Sequence, residues 1–131
     1  MITIYDTTTG RFKRRIQCPV SMYDIQAKAG EAFIEGLYDE TEDYADISGI
    51  DTHVLSRLPI NYIIDKPIIT ADNTDMATVT GLPTICTVYH EGVGYPVTDG
   101  SMEFTADQPG PYQFYVDEVE YLRTEFEINA T

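Results

Sequence analysis

A chain of 131 residues has room for one ordinary domain or two very small ones, because small bodies bury too little surface to sustain more than a modest core. Apolar residues make up 43% of it, and ten Tyr with five Phe supply rigid side chains suited to sheets and interfaces, which excludes disorder as a description of the whole. Eight Lys and Arg against 22 Asp and Glu give a formal net charge of −14, a field that repels phosphate backbones and anionic lipid surfaces and so excludes nucleic acid as a general partner.

The opening Met1-Ile2-Thr3-Ile4-Tyr5-Asp6 alternates in polarity like a strand and lacks the apolar run of a secretory signal. No apolar stretch is long enough to cross a bilayer, so the expectation is a soluble chain made in a cytoplasm, without membrane insertion. Residues 2–6 and 12–18 read as two strands joined by Thr7-Thr8-Thr9-Gly10, a hairpin with Gly available for positive φ. Arg11, Lys13, Arg14 and Arg15 place half of all the basic residues on this hairpin; a solvated edge explains them, and docking onto an acidic partner protein is the functional alternative.

Ser21 as an N-cap, Asp24 three residues on, inward-facing Met22, Ile25 and Ala29, and Gly30 as a stop predict about two helical turns over 21–29. Residues 31–36 then read as a third strand, giving an N-terminal ββαβ module over 1–58. Between Leu37 and Asp51 every charge is negative (Asp39, Glu40, Glu42, Asp43, Asp46, Asp51), which reads as an exposed connection. Pro59 and Pro67 bracket an extended stretch, and 59–66 is taken as a linker.

From position 67 the pattern changes to short strands with regular punctuation: 67–71, 76–81, 84–90, 94–98, 101–106, 111–117 and 122–129. Met102/Phe104, Tyr112/Phe114/Val116 and Leu122/Thr124/Phe126/Ile128 recur at every second residue, as one buried sheet face requires. The fold class expected is therefore mainly β, with an immunoglobulin-like antiparallel β-sandwich over 67–131. The run from Asp107 to Tyr112 has the form of a tyrosine corner, in which Tyr112 plays a structural part by returning its hydroxyl to nearby backbone.

Catalytic apparatus is not visible. The chain carries no glycine-rich phosphate loop, H-E-x-x-H or G-x-S-x-G, and His53 and His90 lie in separate modules without ligand-like spacing. Cys86 and His90 would share one side of a strand, yet lack an orienting group; Cys18 and Cys86 are read as reduced, buried thiols. An EF-hand begun at Asp39 would put Tyr44 where Gly is needed and Ile50 where Glu is needed. The carboxylate pairs Glu118/Glu120 and Asp39/Asp43 read as solvated faces rather than a glycosidase pair. We expect no enzyme activity, no metal and no cofactor. Tyrosines offer a recognition surface instead, with Tyr89, Tyr95 and Tyr115 as the candidates and Tyr112 turned inward.

Two stretches carry a resemblance: Ile4-Tyr5-Asp6-Thr7-Thr8-Thr9-Gly10-Arg11 followed by Gly30 through Asp39, and Val97-Thr98-Asp99-Gly100 followed by Pro109-Gly110-Pro111-Tyr112 and Tyr121-Leu122. Together they resemble small tail- and fibre-associated structural proteins of tailed bacteriophages that carry a C-terminal immunoglobulin-like domain. The resemblance implies a virion component acting through contacts with other virion proteins, as a homo-oligomer or ring. A capsid decoration protein and a carbohydrate-binding module touching a host-surface glycan are the alternatives.

Overall fold

The computed structural model describes residues 1–131, which divide into two compact units, Met1–Leu58 and Pro59–Thr131. The first unit is built on a three-stranded antiparallel sheet in the order β2-β1-β3, from β1 (Ile2–Asp6), β2 (Phe12–Ile16) and β3 (Glu31–Glu35). Strand β1 is central and covered on both faces. Ile2 and Ile4 pack with Tyr23, Ile16, Cys18 and Phe33, while Tyr5 on the opposite face packs with Phe12, Ala45, Ile34 and Val54. Thr3, fully buried, is satisfied by donating its hydroxyl to Gly36 O at 2.9 Å and accepting from Tyr38 N–H at 3.1 Å.

The helix expected over 21–29 is replaced by a 3-10 segment, Val20–Ile25. Pro19 at its N-cap has no side-chain hydrogen bond to give, Ser21 does not cap, and Tyr23 is the one residue buried. Met22 and Ile25, expected inward, are exposed, Ile25 at 71%. Their spacing of three stacks them on one side of the tighter 3-10 turn, and Tyr23 is the side chain that turns to the core instead. Cys18 is half-buried rather than fully buried.

The acidic stretch also departs from expectation. It contains β4 (Asp43–Asp46), paired antiparallel with β5 (His53–Ser56), and Ala45, Ile47 and Val54 of this hairpin cover the Tyr5 face of the sheet. The charges sit in the turns or at the ends of β4. Asp39 Oδ1 accepts from Thr41 N–H and hydroxyl, Asp46 Oδ1 accepts from Ser48 N–H and hydroxyl, and the Arg57 guanidinium reaches Glu40 O and Thr41 O. Gly10, at φ +79, donates to Asp6 O and accepts from Ala45 N–H; a Cβ there would lie 2.1 Å from Ala45 O.

The second unit consists of two sheets. One holds five strands in the order β10-β9-β12-β13-β7 and the other three in the order β11-β8-β6. The strands are β6 (Ile63–Ile64), β7 (Ile68–Ile69), β8 (Ala77–Thr80), β9 (Cys86–His90), β10 (Val93–Val97), β11 (Met102–Phe104), β12 (Gly110–Val116) and β13 (Thr124–Ala130). All pairings are antiparallel except β7 with β13. One core takes Ala77 and Val79 from the smaller sheet and Cys86, Val88, Phe114, Val116, Phe126 and Ile128 from the larger. Residues 59–66 are not a linker: Ile60 is buried in this core and Ile63–Ile64 pairs with β8, because the proline-bounded stretch is itself apolar and extended.

Candidate functional site

The basic cluster lies on and beside β2, an edge strand. Pairing runs Ile4↔Arg14 and Tyr5↔Phe12, so Lys13 is the extra residue of a bulge that twists the edge. Arg14 is not free for a partner. Its guanidinium forks onto Glu31 at 2.7 and 2.9 Å and donates also to Gln26 O, while Lys13 Nζ stands 3.3 Å from the same carboxylate. Hydrogen bonds from Arg14 and from Lys28 N–H hold the Glu31 carboxyl far below the usual carboxylate range. Sequence reading grouped Arg14 with its neighbours and missed Glu31. The signal was the pairing of β2 and β3 on either side of β1, which brings residues 14 and 31 within reach. Lys13 and Arg15 remain exposed and line a 250 Å³ hollow with Thr3, Phe12, Tyr38 and Glu40.

The three recognition tyrosines do not form one surface. Tyr89 of β9 and Tyr115 of β12 are cross-strand partners whose rings stack 5.0 Å apart at 15° on the outer face of the five-stranded sheet. Arg123 lies over Tyr115, 4.2 Å from its centroid, and bonds Glu125 Oε1. Gly94, opposite Tyr89, leaves room for that ring, since a Cβ there would come 3.2 Å from Tyr89 Cε1 and 2.9 Å from Thr87 Cγ2. With Tyr89 on one side and Arg123 on the other, Tyr115 presents no open ring face, and a stacking platform for a sugar needs one.

Tyr95 pairs with Val88, a core residue, and therefore points to the inner side of β10. There it lines a cleft of about 290 Å³ with His90, Met102, Glu103, Phe104, Thr105 and Phe114. The wall is an aromatic cluster: His90 lies 5.2 Å from Phe114 and 5.5 Å from Tyr112, and Phe104 lies 4.9 and 5.1 Å from Tyr112 and Phe114. His90 Nδ1 is 2.9 Å from Gln113 O. Tyr112 is half-buried and its hydroxyl donates to Gln108 O at 2.7 Å, closing the turn that precedes β12.

Cys86 is buried, and burial, reinforced by the Glu118 charge, pushes its thiol pKa up, away from the thiolate a nucleophile needs. His90 shares its side of β9 but is engaged with Gln113 and the aromatic cluster. Glu118 is not a bare solvated acid, since its Oε1 accepts from Thr87 N–H at 3.0 Å. Asp39, Asp46, Asp72 and Asp75 are likewise held below the ordinary range by hydrogen bonds, from Thr41, from Ser48, from the N–H groups of Asp75 and Thr74, and from Thr70 N–H with Lys66 respectively. That direction is opposite to a general acid, whose pKa must rise. No protein family, curated protein or solved structure matches this chain.

Proposed function

We propose that this chain is a non-enzymatic structural subunit of a tailed-bacteriophage virion, tail- or fibre-associated, that acts through protein–protein contacts. It is made in the host cytoplasm and finishes in the particle. The first unit docks on an acidic site of a neighbouring virion protein, and the second is an immunoglobulin-like sandwich that packs against or projects from its neighbours in a symmetric assembly.

The observation that carries this reading is a docking-type surface on the first unit. Val20, Met22 and Ile25 leave large apolar side chains in solvent within one six-residue 3-10 segment, Val20 at 72%, and a concentration of this kind supports a surface that a partner covers. Exposed Lys13 and Arg15 on β2 add the only local excess of positive charge in a chain of net charge −14, which suits an acidic partner. The immunoglobulin-like reading is supported by the order β11-β8-β6 over β10-β9-β12-β13-β7, with its crossings between sheets, and by the Tyr112 hydroxyl bond at the turn before β12. The carboxylates held below their ordinary range favour structure over acid–base chemistry.

Electron microscopy of particles lacking the gene is expected to show missing density at the tail. Particles made with Ile25→Asp are expected to lack the chain although the purified variant melts like the parent. Intact tails with lost shell knobs would move the assignment to capsid decoration, and unaltered particles in both experiments would overturn the virion reading.

A further inference from the structure

We propose that the cleft between β10 and β11 binds an ammonium group carried on an apolar stem. Three features converge on that chemistry. Besides Glu103 and Thr105 the walls are aromatic or thioether side chains, with Tyr95, Phe104 and Met102 around a floor of buried Phe114, so that aromatic rings and polarizable sulfur attract a cation and its hydrocarbon together. His90 supplies the directional group. A carbonyl only accepts, so the contact of Nδ1 with Gln113 O at 2.9 Å puts the hydrogen of the neutral ring on Nδ1 and leaves Nε2 as an acceptor. Glu91 Oε2 lies 4.0 Å from Nε2, beyond hydrogen-bond reach, and the lone pair is left for a ligand N–H. Finally, the net charge of −14 draws cations toward the molecule and opposes anions.

The rim of the cleft fits this role. Tyr95 is half exposed at 49% and stacks on none of the neighbouring rings, so its face is open to an incoming cation, in contrast to Tyr115, whose cation is the chain's own Arg123. The cleft does not serve as a bed for an added strand. The β9–β10 hairpin turns through Glu91 and Gly92 at φ 49 and 79, which makes His90↔Val93 the hydrogen-bonded closing pair. Alternation then aims the edge groups of Gly94 and Pro96 outward, and Pro96 has no N–H to offer. What enters is therefore a side-chain-sized group rather than a backbone. The volume, about 290 Å³, sits at the small end of ligand sites.

The test titrates the full chain with phenethylammonium, its neutral analogue phenethyl alcohol and the anion 3-phenylpropionate, following His90 ¹⁵Nε2 and the ring signals by NMR. Phenethylammonium is expected to bind with a Kd on the order of 1 mM, as befits so small a ligand. It should shift the His90 Nε2 resonance and bind at least about fivefold more tightly than the alcohol, with the anion weaker still. Tyr95→Ala is expected to weaken binding about fivefold while Tyr95→Phe retains it. An acetyl-lysine-amide arm separates sources: tighter binding than the free amine points to a partner protein's lysine, weaker binding to a small-molecule amine. Equal binding of amine and alcohol, no response at His90, or an unaffected Tyr95→Ala variant would each overturn the proposal. The virion reading is tested separately, by the particle experiments, whose Ile25→Asp variant lies on the first unit and leaves this cleft untouched.

Discussion

At the scale of single residues, side chains that looked like surface chemistry are bound into the fold. Glu31 is the clearest case, because Arg14, Lys13 and Lys28 N–H all address one carboxylate that is 6% exposed. Its folded-state pKa is depressed, so the unfolded chain binds more protons in acid. The stabilisation it contributes is complete above the unfolded value of about 4.3 and is lost as pH falls from there through the folded value. Glu31→Gln is therefore expected to lower the melting temperature at neutral pH and to flatten its dependence on pH below about 5, read by circular dichroism. A variant as acid-sensitive as the parent would show that other carboxylates govern the transition. Tyr112 gives a second test. Tyr112→Phe keeps the ring against Phe104 and His90 but loses the hydroxyl bond to Gln108 O, and it is expected to cost about 1 kcal/mol in urea denaturation.

At the scale of elements, alternation was a good guide wherever one sheet face meets one core. The period-two sets on β12 and β13 were legible because Phe114, Val116, Phe126 and Ile128 bury on one side while Gln113, Glu125 and Glu127 stay outside. It failed at β1, where Ile2, Thr3, Ile4 and Tyr5 are all buried because both faces are covered. Cover for the second face comes from β4 and β5, the segment that charge alone marked as a connection; its acids hide the pattern by occupying turns and outward positions. The helix was misread for a related reason. Ser21 has the residue type of a cap, but the cap position falls on Pro19, and the segment is too short for α-helical hydrogen bonds to repay the ordering of the chain. Of the recognition residues, the sequence carried the types but not the sides, since Tyr95 falls on the opposite face of the sheet from Tyr89 and Tyr115 once the register of β9 and β10 is set.

At the scale of the whole molecule, the two units have separate cores and so separate points of failure. Gly10→Ala forces a Cβ against Ala45 O at a left-handed φ and is expected to destabilise the first unit by about 2–3 kcal/mol. Ile128→Ala removes a fully buried side chain from the second and is expected to cost it about 2–5 kcal/mol. Calorimetry should resolve two transitions, each moved by one variant alone; a single transition shifted by both would mean that the units unfold as one.

The place of β13 sets when the second unit can form. Although it follows every other strand of its unit in chain order, it lies between β12 and β7 and supplies Phe126, Ile128 and Ala130 to the core, while Asn129 and Thr131 N–H groups bond to Pro67 O and Ile69 O. A nascent chain stalled before residue 124 thus holds two unzipped sheet margins and a half-built interior. Folding of this half on the ribosome must wait until β13 has cleared the exit tunnel, and a premature stop upstream of it leaves a polypeptide fit only for chaperones or proteases.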